Sequence, residues 1–194
     1  MIKNILTSTL ASILFLSCIP AQVAPTLSVE HDVLFSKNWR VAVLNLNYEY
    51  EGEGDLNGGH YVSAGKDGGD VIAGLLASNL ANMDNITIIE REKIAGLLEE
   101  QSLQQSGLIS AESAIKVGKM AGAQAVIVGT LTDYVYWQNT GVSGSTISFS
   151  MRMIDVETGK VIINGSISRA RSFVDVFPNA QMTTKELIDA VQKS

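Results

Sequence analysis

The sequence predicts an α/β (α+β) fold: a single domain with a mixed β-sheet, helices packed against it, and the element order β-α-β-α-α-β-β-β-α. Three observations predict it. Arg40–Asn47 and Gln124–Thr132 are apolar on both of their alternating faces, as in strands covered by helices on each side. Between them lie segments whose apolar residues recur at helical spacing. After them come two more strand-like segments, Thr146–Val156 and Lys160–Ala170, joined by Glu157-Thr158-Gly159, where glycine supplies the positive φ of a tight hairpin.

At the amino terminus, Lys3 precedes the apolar run Ile5–Leu16. That run is too short for a bilayer core, which takes about 20 residues, and suits the apolar region of a signal peptide. It ends in Phe15-Leu16-Ser17-Cys18, a small residue before a cysteine, which resembles a bacterial lipobox. The resemblance is imperfect, because Phe15 stands where an aliphatic residue is usual. The expectation is a signal peptide over residues 1–18 and a lipid on Cys18, followed by a tether over 19–38 and the domain proper over 39–194. Ordinary cleavage near Ile19-Pro20-Ala21, releasing a soluble periplasmic protein, is the alternative.

In the first strand Val41 and Val43 face one side and Ala42, Leu44 and Leu46 the other. Tyr48–Gly69, rich in Gly, Asp, Glu and Asn, reads as a long loop. A helix over Asp70–Met83 carries Val71, Ile72, Leu75, Leu76 and Leu80, and a short strand, Ile86–Ile89, follows it. The next helix runs from about Glu92 to Gln105 and stops near Gly107. Another opens at Ser110, whose hydroxyl can accept a first-turn N–H, and ends at Gly122. The last helix, Met182–Lys193, packs Leu187, Ile188 and Val191 inward.

Composition excludes several classes of function. Without Lys3 the chain holds 13 basic and 20 acidic residues, a net charge of −7, and so lacks the basic footprint that nucleic acid requires. One cysteine gives neither an internal disulfide nor a cysteine-based zinc site. Gly59 to Gly65 encloses five residues where a phosphate loop encloses four, and Lys66 is followed by Asp67 rather than a hydroxyl residue. Glu53, Asp55 and Asn57 open like a calcium loop, yet Ala64 stands where the bidentate glutamate belongs. His31 and His60 fall in segments without pattern and read as surface residues. Glu90-Arg91-Glu92 at a strand-to-helix junction reads as a stabilised helix start, with Arg91 bonding carbonyls or pairing with Glu. No enzyme, cofactor or metal is expected.

Ile88-Ile89-Glu90-Arg91, Leu97-Leu98 with Glu100-Gln101, and Ser106-Gly107 together resemble the CsgG family, the curli secretion channel and its relatives. Ala114 with Gly118 and Gly122-Ala123, then Val128-Gly129-Thr130, then Asp155 with Thr158-Gly159 and Val161 extend the resemblance, and Arg40-Val41-Ala42-Val43 is similar to that family's first strand. The glycines also have physical purposes: Gly118 for close helix–sheet approach, Gly122 for termination, Gly159 for the turn. The resemblance implies an outer-membrane lipoprotein facing the periplasm, often a homo-oligomer, acting as an assembly or secretion accessory through protein–protein contact. The chain is also similar to LpoB-type activators of peptidoglycan synthases (penicillin-binding proteins), which is the alternative. A pore subunit comes third, since the curli channel adds two membrane hairpins and Thr132–Met151 has room for barely one. Tyr134, Tyr136 and Trp137 read as the aromatic edge of an extended strand pair. The pore-constricting loop of the family corresponds to the glycine-rich stretch, where its motif does not match, so no such role passes to Tyr61.

Overall fold

The computed structural model describes residues 23–48, 54–55, 60–100, 110–139 and 141–194. The expected elements are present in the expected order. They are β2 (Trp39–Val43), α2 (Gly68–Leu80), β5 (Ile86–Ile88), α3 (Arg91–Glu100), α4 (Ala111–Ala121), β6 (Ala125–Asn139), β7 (Val142–Asp155), β8 (Val161–Ser172) and α5 (Val176–Lys193). Four short elements join them: β1 (Thr26–Val29), α1 (His31–Leu34), β3 (Gly54–Asp55) and β4 (His60–Ala64).

The main path of the sheet runs β1-β8-β7-β6-β2-β5, with β4 also on β6 and β3 on β4. β2 lies between β5 and β6 and is parallel to both. The remaining pairs are antiparallel. From β2 the chain crosses through α2 to β5 on one side, then returns through α3 and α4 to β6 on the other. Right-handed crossovers in opposite directions place their helices on opposite faces of the sheet. Accordingly α2 and α5 cover Val41, Val43, Ile127 and Met151, whereas α3 and α4 cover Ala42, Leu44, Val126, Val128 and Ile154. The double-sided burial expected of the first strand follows from this arrangement.

Local chemistry fixes the helix ends. Ser110 caps α4 by accepting from the Ser113 N–H at 3.2 Å, and Gly122 closes it at φ 78°, where its lack of a Cβ avoids strain. Gly159, at φ 71°, makes the β7–β8 turn.

Several boundaries differ from expectation. Residues 19–38 are not all tether, because Thr26–Val29 pairs with Ile163–Ser166 and the next residues form the single turn α1. The strand is four residues long and its partner lies far along the chain, so no local pattern announces it. Within the expected long loop, β3 and β4 form a small hairpin whose second strand pairs with Val135–Asn139 of β6, and α2 starts early, at Gly68. β6 continues to Asn139 rather than ending at Thr132, crossing a register shift between Leu131 and Asp133. α5 begins at Val176, not Met182. His31 and His60 lie in α1 and β4 rather than in patternless segments. His31 is exposed, its ring 4.6 Å from that of Phe35.

Candidate functional site

At the carboxyl end of β2 the two crossovers leave in opposite directions, the place where open α/β sheets form a crevice. Arg91, the first residue of α3, reaches across it. Its Nη2 donates to Asn45 Oδ1 at 2.5 Å and pairs with the Asp70 carboxylate, while Nη1 donates to the Asp70 carbonyl at 3.1 Å. Asn45 follows β2 and Asp70 lies in the first turn of α2, so one guanidinium ties together three elements. At Gly69, next to Asp70 in α2, a Cβ would come within 2.3 Å of the Leu46 carbonyl oxygen. The crevice, 280 Å³, is lined by Asn45, Asp70, Arg91, Glu92 and Leu98. Arg91 therefore bonds a carbonyl, one of its expected partners, whereas its carboxylate partner is Asp70 of α2 and not the expected Glu. With Asp70 60% exposed, this pair braces the crevice and stabilises the fold only slightly.

The other motif residues hold geometry. At Gly118 a Cβ would stand 2.3 Å from Val126 Cγ1, so only glycine lets α4 approach β6 so closely. At Gly129 it would meet the Ser150 carbonyl oxygen at 2.2 Å. Asp155 is buried and accepts from the backbone N–H groups of Glu157 and Thr158 at 2.8 and 3.0 Å, which prepares the turn that Gly159 completes. Glu90 and Glu100 are exposed, one before α3 and the other at its end. Cys18 and Gly107 lie outside the described residues. The motif thus comes together in two places, the Arg91 crevice and the α4–β6–β7 contact.

The larger feature is the face of the sheet opposite α5. Beyond Val128 and Ile154 no helix covers it among the described residues. Thr130, Thr132, Ser150, Arg152, Asn164 and Ser168 lie exposed along β6, β7 and β8. A groove of 490 Å³ runs over this hydroxyl-rich surface, bounded by Val23 and Ala24 on one side and Thr132 on the other.

Beneath that face a polar network locks α5 to the sheet. Buried Arg169 donates from Nε to the two Glu186 carboxylate oxygens at 3.1 and 2.9 Å, and from Nη1 to the Val23 carbonyl at 2.7 Å. Arg171 donates to Asn179 Oδ1 at 2.7 Å and to Glu186 at 3.3 Å. Asn179, fully buried, donates to the carbonyls of Ser145 and Arg169. The hydrogen bond from Arg169, with the charges of both arginines, outweighs burial and holds the Glu186 carboxyl below its usual value of 4.5. Tyr134, packed into the core, has its phenol pKa raised by burial. Sequence reasoning missed this network. Its trace is the spacing of Arg169 and Arg171, two cations at the inward parity of β8.

The family model for the curli production assembly/transport component CsgG matches residues 28–177. The chain belongs to the CsgG family. Among curated proteins none matches it. Among solved structures this CsgG-family chain is similar to the PelC dodecamer from Paraburkholderia phytofirmans, at 14% identity and a TM-score of 0.59 over 87% of this chain and 96% of that one. It is similar also to lipoprotein GNA1162 from Neisseria meningitidis, at 19% identity and a TM-score of 0.53 over 80% and 99%. The LpoB C-terminal domain from Escherichia coli aligns at 17% identity and a TM-score of 0.46 over 72% and 92%. The first two likenesses establish a shared fold that both partners span almost end to end.

Proposed function

We propose that this CsgG-family chain is a lipoprotein of the outer membrane, acylated on Cys18 and facing the periplasm, that serves assembly or secretion by touching other envelope proteins and not by catalysis. The observation that carries the reading is the family match over residues 28–177, together with a sheet whose hydroxyl-rich face is open to a partner. The site chemistry agrees with contact: the guanidinium in the crevice is held by Asn45 and Asp70, and the motif glycines serve packing. A homo-oligomer belongs to the proposal, because PelC, of the same fold, is a dodecamer. Length speaks for contact over a pore. A membrane strand takes about 9–11 residues. Past its register shift β6 offers Asp133–Asn139, and Tyr134 is already committed to the core.

The test is crosslinking in cells with photoreactive residues at Ser150 and Ser168, followed by identification of the captured protein, alongside labelling with radioactive palmitate. Capture of a secretion or fibre-assembly component, with label that vanishes in Cys18→Ser, supports the reading. A stoichiometric complex with a peptidoglycan synthase whose turnover rises would replace it by the activator function. Unit conductance of the purified protein in planar bilayers would replace it by a pore.

A further inference from the structure

Besides Val23, Met120 and Met182, the exposed large apolar side chains among the described residues fall in two groups. At one end are Val142 (39% exposed), Phe173 (78%) and Phe177 (50%); at the other are Val33, Phe35 and Val161. The first group is contiguous. The Phe173 N–H donates to the Ser143 carbonyl at 2.7 Å, beside Val142, and Phe177 lies in the first turn of α5. Phe173 sits at φ 59°, an unfavourable conformation for a bulky residue, and turns its ring outward. Asp175 is the single charge in the segment Ser172-Phe-Val-Asp-Val-Phe-Pro178, and Trp137–Ser145 carries none.

The path of the amino-terminal chain says what meets this end. β1 is antiparallel to β8, with Thr26 opposite Ser166, so the described chain running back from Thr26 to Val23 is directed toward the Phe173 end of β8. Buried Arg169, fixed in turn by Glu186, grips the Val23 carbonyl and sets where that chain enters. Cys18 precedes Val23 by five residues, a reach of roughly 17 Å even when fully extended. Arg169 lies four strand residues from Phe173, about 13 Å, and eight from Val161, about 26 Å. An acylated Cys18 can therefore bring the Phe173 end to a bilayer, whereas the Val161 end is out of its range.

We infer that the end formed by Val142, Phe173 and Phe177 is a bilayer-seating surface, its aromatic rings entering the headgroup–acyl boundary of the leaflet that holds the Cys18 lipid. The inference rests on the acylation proposed above. Three apolar side chains beside a lipid anchor convert a swivelling attachment into a fixed one, since anchoring strengthens when a second element adds buried apolar area. The hydroxyl-rich sheet face then stands across the membrane plane, available to a neighbour. The charged residues at this end are carboxylates, Asp175 and Asp55 of the β3–β4 hairpin that pairs near Asn139, so seating is apolar and salt does not weaken it.

The test uses the full-length acylated protein in phosphatidylethanolamine/phosphatidylglycerol vesicles containing brominated phosphatidylcholine. Phe173→Trp and, separately, Phe177→Trp report contact, and Phe35→Trp reports the far end. All three are made in a Trp137→Phe background, whose remaining native indole, Trp39, is fully buried and gives a constant signal. The added emission in F173W and F177W is expected to shift blue and lose about half its intensity with bromines near the top of the acyl chain, at 0.05 M and 0.5 M salt alike. The indole introduced by F35W should be unaffected. Equal quenching at all three positions, no quenching at 173 and 177 in vesicle-bound protein, or strongest quenching from bromines at the bilayer centre would each overturn the inference; the last would mean a spanning hairpin. Palmitate labelling scores the anchor separately, so an unlabelled protein removes the acylation reading, and a labelled one without quenching removes only the seating surface.

Discussion

The close approach of α4 to β6 at Gly118 offers a sharp test of the packing. In Gly118→Ala the new methyl carbon would stand 2.3 Å from Val126 Cγ1 and 3.1 Å from Val156 Cγ1, against an ordinary separation of about 3.5–4.0 Å. Val126 has to yield by more than about 1 Å, yet it is fully buried and β-branched, with little rotamer freedom. Overpacking costs about 1–3 kcal/mol, and an overlap of more than about 1 Å with a fully buried residue takes the upper part of that range, about 2–3 kcal/mol, offset by about 1 kcal/mol of helix propensity. The net loss should be about 1–2 kcal/mol, a fall in Tm of roughly 2–8 °C for a chain of this size. Val126→Ala alone leaves a void and should cost about 2 kcal/mol. In the double variant the methyl of residue 118 enters that void, so the pair should cost no more than Val126→Ala alone. Urea and thermal denaturation followed by circular dichroism on all four proteins closes the cycle. Simple additivity of the two losses, or a neutral Gly118→Ala, would refute the claim that this contact sets the helix–sheet distance.

Elsewhere the same substitution reverses sign: at Gly96 in α3 nothing lies within 4 Å of the new methyl, so Gly96→Ala should stabilise by about 1 kcal/mol, read as a higher urea midpoint. Asn179→Ala strips the Ser145 and Arg169 carbonyls and both Arg171 and Thr183 of a buried partner, and should lower stability by about 2–3 kcal/mol in the same assay. Glu186 has a depressed pKa, so its pairing stabilises the fold above pH 4.5 and is lost as pH falls through the lower folded value. The acid limb of a Tm–pH curve should therefore flatten in Glu186→Gln; an unchanged limb would assign acid sensitivity to other carboxylates. Gly122→Ala places a methyl at φ 78° and should cost about 1 kcal/mol, visible as a lower Tm.

The elements legible in the sequence are those whose signal is local. β2 and β6 announce themselves by apolar residues on both faces, α4 by Ser110 at its start and Gly122 at its end, and the last hairpin by Gly159. What stayed hidden depends on partners distant along the chain. β1 is a strand because Ile163–Ser166 offers an edge, and β4 because β6 runs on past β2. Bracing by Arg91 was foreseen in kind, since a cation at a helix start between carboxylates seeks carbonyls, but Asn45 and Asp70 as its partners required the fold. Arg169 was opaque for a different reason. Polar residues at inward positions normally argue against burial, and only α5, arriving with Glu186 and Asn179, makes such a position tenable. Glu90 and Glu100 hold exposed positions at the two ends of α3.

β6 has an unusual economy: a single 15-residue strand shares one edge between two partners, β2 near its start and β4 near its finish, while β7 follows it along the whole of the other. The helix-clad half of the molecule and the hairpin half are thus joined by continuous backbone and by one core, in which Ile72 and Leu76 belong with Tyr134 and Ile147. Length can be added or removed at the hairpin tip without disturbing the first half, provided the change comes in pairs of residues per strand. A single-residue change would exchange inside for outside along everything beyond it. The tip is therefore a ruler graduated in steps of about 7 Å, on which the distance between the body and whatever it stands upon can be reset by insertion alone.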